Sequence, residues 1–482
     1  MMLELGPVTV TGIGIIFAVL YAVTLAVRPR WFPFALAAAL PLSHSAMTIV
    51  GENGLSPFWF GAILSVVRLA YLSFRAKWRL FDSAFIWFGS NVALLAFAAY
   101  ALVITAAGPA LFSGLPVLSP EAGLDTQVES GLTPLQYETS NFAQGVYVLL
   151  GVLVVVYFLV EKQTTPRILE VAIVIGMALA FARHLLPDVW PYAFFDNSPS
   201  IYYAWPGEGR RERGSFAEPS ILGMFLAMSL AYLASAIVRA PWIRRIGYAV
   251  LIVAGIYLYA ISYTGTALLS IGATAIAGGT VVAITLVSTA NRKQLLYALG
   301  VVVVAAVGVV LAWPIISRYT VDIVLQKLTT SSFDNRGGSN EIAFQTFLDT
   351  FALGAGLGSS RPSSLFFMLL SCVGIVGLLL FIRLVGGYLW AAWRSDEFRA
   401  VSWSFFAVLI AQVTAKPDLS APPFWILLAL SAIPYRTIAK QLAAAPRSQR
   451  RASLMGLVPS VRKPRGRHAE APVPADLATP DV

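Results

Sequence analysis

The chain has 482 residues, is 58% hydrophobic and only 12% charged, and carries a formal net charge of +10 with a mean hydropathy of +0.75. Soluble domains run near half apolar and a quarter charged, so the composition excludes an ordinary soluble domain and points to a polytopic membrane protein. The positive charge does not call for a nucleic-acid partner, because the lysines and arginines sit mostly in short connections and in the tail, the pattern of membrane topology signals.

The N-terminus, MMLELGPVTV, lacks a basic n-region, and no clear Ala-x-Ala site follows the first apolar run, so a retained transmembrane helix is expected rather than a cleaved signal peptide. A spanning helix needs about 20 apolar residues. Candidate spans fall near 8–27, 32–50, 57–74, 83–107, 143–160, 168–186, 219–238, 247–263, 265–289, 295–313, 364–385, 399–414 and 422–440, roughly thirteen in all. Cys372, the only cysteine, lies in an apolar run and leaves no intramolecular disulfide to form. His44, His184 and His468 are scattered without metal-ligand spacing, so neither a metal nor a cofactor is expected.

Basic segments fall on alternate connections: RPR (28–30), RAKWR (75–79), EKQTTPR (161–167), RAPWIRR (239–245), NRK (291–293) and WRSDEFR (393–399). This places them on the cytoplasmic face, with the N-terminus outside. The opposite connections are longer, at 108–142, 187–218 and 314–363, and are read as extracytoplasmic loops. The first carries Glu121, Asp125, Glu129 and Glu138 with no lysine or arginine. In the last, 339–351 reads as a surface helix with Phe344, Phe347, Leu348 and Phe351 on one stripe, Ser339 as its cap and Glu341 at its positive end. The reading is therefore an all-α transmembrane bundle of about 12 or 13 spans over residues 1–445. A basic, disordered cytoplasmic tail at 446–482 follows, suited to anionic lipid headgroups. No internal repeat is visible, which weakens an inverted-repeat transporter reading.

Against this scarcity of charge, residues 210–218 hold Arg210, Arg211, Arg213, Glu212 and Glu218. On the expected topology they form the outer lip of the span that starts at 219. Gly214 permits a sharp turn, Pro219 suits the first helical turn, and Glu218 falls at or beside the cap. Guanidinium forks match phosphate oxygens two at a time, and a nearby carboxylate can take a proton from a nucleophile. The alternative is a plain Glu-Pro helix entry with solvated arginines. A positive-inside chain has reason to keep arginine off its outer face, however, and this segment keeps three.

A second constellation, SSFDNRGGSNE (331–341), flanks Arg336 with Asp334 and Glu341; it reads as a phosphate or sugar contact, or as a flexible turn. GAGLGSS (354–360) looks like a phosphate loop but lacks the following Lys-Ser or Lys-Thr and a preceding strand, so a tight loop is expected. SYTGT (262–266) reads as a hairpin break whose hydroxyls suit sugar. Arg183 and His184, at the outer end of their span, read as an interfacial pair or as companions of the loop arginines.

The stretch R-x-x-G-S-F-A-E-P-S, with SYTGTALLSIG (262–272) and the run from Arg336 through FALGAGLGSS to VGIVGLLLF (373–381), resembles the O-antigen polymerase/ligase superfamily across roughly residues 200–390. The Glu-Pro-Ser form is more similar to exopolysaccharide polymerases than to ligases. The resemblance implies a metal-independent glycosyltransferase of the C-type fold in the bacterial inner membrane, using undecaprenyl-pyrophosphate-linked oligosaccharide at the periplasmic face. It implies polymerisation of repeat units, with a chain-length regulator and a flippase as pathway partners. On that reading Arg213 stabilises the leaving diphosphate, Arg210, Arg211 and Arg336 help, Glu341 sits with Arg336, and Glu218 is the base or acceptor-orienting group. Ligases of the superfamily often carry a histidine in the last large outer loop; 314–363 has none, which lowers that alternative. A lipid-linked oligosaccharide flippase is the alternative of another class, disfavoured because the unusual charges sit at one face rather than along a central path.

Overall fold

The computed structural model describes residues 7–51, 53–75, 89–119, 132–161, 164–199, 211–262, 264–289, 331–415 and 417–444. Its helices are α1 (Gly12–Val27), α2 (Phe32–Ala38), α3 (Pro57–Arg75), α4 (Gly89–Leu111), α5 (Thr139–Val160) and α6 (Ile168–Leu185), then one-turn α7 (Tyr192–Phe195), α8 (Pro219–Ala236), α9 (Trp242–Ser262) and α10 (Gly265–Thr289). α11 (Ser331–Asp349), α12 (Leu365–Arg394), α13 (Arg399–Ala415) and α14 (Pro422–Ala444) complete the set. The fold is all-α, and among the described residues α3, α4, α5, α6, α8, α9 and α12 are long and apolar enough to cross a membrane. α1 and stretches of α10 and α13 are apolar but shorter. Helices suit such runs because their backbone groups are satisfied internally and need no water.

Two apolar stretches depart from the expected spans, for local reasons. The run at 32–50 is not one helix. α2 ends at Ala38, turns follow through Pro41 and the polar Ser43–His44–Ser45, and Thr48–Val50 forms a strand, β2. The run from residue 8 begins as strand β1 (Val8–Val10), because its β-branched residues pair antiparallel with β2, which pairs in turn with β3 (Asn53–Leu55). Thr11 then starts α1, its Oγ1 accepting from Gly14 N at 3.1 Å. The loop at 108–142 contains a ribbon of β4 (Pro116–Leu118) and β5 (Leu132–Pro134). Glu121, Asp125 and Glu129, the expected span at 295–313 and the tail 446–482 lie outside the described residues.

The helix expected at 339–351 starts earlier and ends sooner, as α11 over 331–349. Ser339 is therefore an interior residue, buried, with its Oγ 2.9 Å from Ser363 Oγ, and not a cap. Glu341 lies in the third turn and not at the positive end. Gly337 and Gly338 are helical, so Arg336 stands on a helix and not in a flexible turn. Phe351 falls past the helix end at φ 51°, off the expected stripe.

GAGLGSS is a tight loop, as expected, but it is drawn into the bundle. Gly354, Gly356 and Gly358 take φ of 97°, 99° and 80°, values only glycine adopts cheaply. The loop backbone is then satisfied by its neighbours: Ala355 N donates to Ser371 O at 2.8 Å, Gly356 N to Cys372 O at 2.9 Å, and Leu357 N to Thr105 Oγ1 at 2.9 Å. The partner α12 breaks at Gly374, where Ile375 N donates to Ala352 O at 3.0 Å.

Cross-element bonds sort the connections into two ends. At one end Ser45 Oγ donates to Phe195 O at 2.7 Å, Ala46 N to Asn197 Oδ1 at 2.7 Å, and Glu212 N to Ile261 O at 3.1 Å. At the other, Arg239 pairs with Asp396 at 2.9 Å and Tyr232 Oη donates to Pro166 O at 3.3 Å. α8 runs between them through the core, with Leu222, Phe225, Leu226, Met228 and Leu233 fully buried. Its N-terminus opens at the first end, where Arg211, Glu212, Arg213 and Glu218 gather.

Candidate functional site

The start of α8 is built from its sequence. Glu218 is the N-cap residue with extended backbone (φ −148°, ψ 159°), and Pro219 occupies the first helical position, where its missing N–H costs nothing. The Glu218 carboxylate accepts a hydrogen bond from Ser220 Oγ. Upstream, Gly214 turns the chain at φ 57°; a Cβ there would stand 3.0 Å from Ala180 Cβ of α6. Ser215 Oγ donates to Pro41 O at 2.6 Å, and Phe216 packs on Phe225 with centroids 5.0 Å apart. The 211–218 segment is thus wedged between α6, α8 and the turn after α2.

That wedge fixes Arg213 against a carboxylate the sequence reading did not single out. Arg213 Nη1 and Nη2 donate to Asp196 Oδ1 and Oδ2 at 3.4 and 3.1 Å, and Nη1 also donates to Phe216 O at 2.9 Å. Arg183, on the last turn of α6, places Nη1 3.7 Å from Asp196 Oδ2 and donates to Gly214 O at 2.6 Å. Its guanidinium lies over the rings of Tyr192 and Trp190 at 5.6 and 6.0 Å. His44 brings Nε2 to 3.8 Å from Asp196 Oδ1. Side-chain exposures are 12% for Arg213, 14% for Arg183, 6% for Asp196 and 4% for His44, so two guanidiniums converge on one carboxylate in a largely buried cluster.

The electrostatics follow from that crowding. Burial lowers the Arg213 pKa from its ordinary value, Asp196 opposes the shift, and Arg183 adds to it. An arginine nevertheless stays charged at any physiological pH. His44, outside the seven candidate spans, is pushed down to about 4, first by burial and then by Arg213, with Asp196 pulling the other way. It is neutral near pH 7, and its buried Nδ1 meets no hydrogen-bond partner among the described residues.

Of the residues predicted from sequence, Arg213 and Glu218 stand at the same helix entry, but Arg213 turns to Asp196 and Phe216 O while Glu218 turns to Ser220. Arg211 is half-buried beside them. Arg210 and the Arg336 side chain lie outside the described residues. Glu341 is exposed on α11, which packs on α12 and β4, so it is not brought to Arg213. Arg183 joins the loop arginines as one of its two readings had it. His184 faces Glu212 at 3.7 Å and bonds Tyr257 Oη at 2.9 Å. Glu212 Oε1 accepts from the Arg213 and Gly214 amides at 2.9 and 2.6 Å. Asp196 and His44 were missed because their partners are distant in sequence. The available signal was an acidic residue closing an aromatic run, WPYAFFD, in the same connection as Arg210, Arg211 and Arg213.

At the opposite end, Glu170 accepts from Tyr248 Oη and Tyr232 Oη at 2.8 and 3.3 Å. That carboxylate is satisfied by neutral donors and lines an apolar groove with Arg244 and Leu233. Among the described residues no group of His, Cys, Asp or Glu converges as a metal-ligand set. The sequence matches no family model and no curated protein.

Proposed function

We propose that this chain is an integral membrane glycosyltransferase that joins lipid-diphosphate-linked oligosaccharide repeats into a polysaccharide at the extracytoplasmic face. The observation that carries the reading is the pair of buried guanidiniums, Arg213 and Arg183, at the mouth of α8, with a single carboxylate between them. A developing diphosphate is the anion that planar, permanently charged forks accommodate best, and a dry site strengthens each contact.

In the proposed step the acceptor hydroxyl oxygen attacks the anomeric carbon of the donor. The bond from that carbon to the diphosphate oxygen breaks, its electron pair leaves on the lipid diphosphate, and the hydroxyl proton passes to a base, assigned to Glu218. Arg213 and Arg183 take the leaving charge, with Arg210 and Arg211 nearby in sequence as helpers. The energy resides in the phosphoester bond, so no nucleotide is required. Ligation to a different acceptor uses the same chemistry. Lipid-linked glycans from a strain lacking the protein separate the two: loss of a polymerase accumulates single repeats, whereas long unattached chains would identify a ligase. A strain that accumulates neither, with normal surface polysaccharide, contradicts both.

A further inference from the structure

Resting on that reading of the site, we infer that Asp196 is a resident counter-anion that holds the place of the substrate's diphosphate and must be displaced when the donor binds. Arg213 and Arg183 both face Asp196, and Glu212 turns its carboxylate to the Arg213 and Gly214 amides and to His184. Glu212 also attracts Arg213 through space, but among the described residues Asp196 is the carboxylate in contact with both guanidiniums, so an anion that engages both takes its place.

Asp196 grips Arg213 with both oxygens, at 3.4 and 3.1 Å, as a phosphate group would. It follows one-turn α7 on a short segment anchored by Asn197, whose Oδ1 accepts from Ala46 N at 2.7 Å, and its own carboxylate accepts a long bond from Trp190 Nε1 at 3.4 Å. The arginines, in contrast, are fixed by backbone carbonyls that a ligand leaves in place: Gly214 O for Arg183 at 2.6 Å and Phe216 O for Arg213 at 2.9 Å. The cationic half of the site is preorganised, and the anionic half is one side chain that a rotation about its own bonds withdraws. A diphosphate, with more charge and more acceptor oxygens than one carboxylate, replaces it and leaves the arginine scaffold unmoved.

Asp196 thus competes with the headgroup, so its removal tightens binding where loss of a merely structural residue weakens it. The test is binding of farnesyl diphosphate and of inorganic pyrophosphate to the purified full chain in detergent, comparing wild type with Asp196→Asn. We expect Asp196→Asn to bind both probes roughly 10-fold more tightly, the gain that follows when a competing state is removed. We expect farnesyl diphosphate to bind more tightly than pyrophosphate in both proteins, as a prenyl-linked headgroup requires. Unchanged or weaker binding in Asp196→Asn overturns the inference while leaving the proposed function standing. Failure of wild type and variant alike to bind either probe removes the diphosphate reading itself, and equal binding of the two probes removes the lipid as the source of the anion. Should Asp196→Asn not fold, wild-type fluorescence keeps the inference testable. Trp190 Nε1 donates to Asp196 Oδ2 at 3.4 Å, so pyrophosphate must alter a fluorescence component that Trp190→Phe lacks. An identical change in wild type and Trp190→Phe overturns the displacement.

Discussion

Arg213 meets Asp196 through both terminal nitrogens of its guanidinium, across a sequence gap of 17 residues, with the two side chains 12% and 6% exposed. This pair ties the entry of α8 to the segment after α6, and the charged site at that entry depends on it. Removing one partner of a buried pair leaves the other uncompensated, which costs about 3–5 kcal/mol. We therefore expect Arg213→Ala to lower the unfolding temperature of the detergent-solubilised protein by several degrees and to abolish polymer formation. Arg213→Lys, which keeps the charge but loses the fork, is expected to recover most of the stability and little of the activity. Thermal melts and polymer gels on the same preparations measure the two effects.

Gly214 tests the backbone turn on its own. Its φ of 57° costs an alanine roughly 1–2 kcal/mol, and the new Cβ meets Ala180 Cβ at 3.0 Å. Because the Gly214 carbonyl holds Arg183, Gly214→Ala is expected to cost about 2 kcal/mol of stability and to reduce turnover at least 10-fold, through Arg183. Denaturant unfolding and initial-rate assays check it, and a variant with lowered stability but unchanged turnover separates Arg183 from the chemistry.

His44 sets a pH dependence. Its pKa is about 4 in the folded chain against 6.5 when unfolded, so below pH 6.5 the unfolded state binds the extra proton and the fold loses stability as pH falls towards 4. The groups facing it are Asp196, Arg213 and Arg183, and the last two repel a protonated ring. Over that window the loss is on the order of a few kcal/mol. Melts at pH 7 and pH 5 are expected to differ more for wild type than for His44→Gln, which cannot take up the proton.

Asn141 tests the buried glycine loop. Its Nδ2 donates to Leu357 O and Ser359 Oγ at 2.7 and 2.8 Å, while its Oδ1 accepts from Glu138 N at 2.9 Å. Asn141→Ala strands buried groups on the loop and opens the start of α5, for an expected loss of about 2–3 kcal/mol. Hydrogen exchange at residues 354–360 is expected to rise in this variant more than exchange at 219–236.

The helices were legible because an apolar run in a membrane protein has one good way to satisfy its backbone; α6, expected at 168–186, forms at Ile168–Leu185. The entry to α8 was legible because Gly214, Glu218 and Pro219 act within a few residues of one another. The strands were not: Val8–Val10 and Thr48–Val50 are apolar enough to read as span ends, and only their pairing across 40 residues turns them into a sheet. α11 was misplaced for the opposite reason, because a Gly-Gly step reads as a breaker until tertiary packing overrides its propensity. The partner of Arg213 escaped notice because a carboxylate's contact across a loop leaves no periodic trace in the sequence.

The measurement that bears most directly on the whole account is a reconstitution of the purified chain into liposomes with a prenyl-diphosphate-linked oligosaccharide as the only glycan. Wild type is expected to yield a ladder of elongated lipid-linked product, with free prenyl diphosphate released for each bond made, and Arg213→Ala to yield none above background. Intact single repeats with wild type, or an equal ladder from Arg213→Ala, would contradict it.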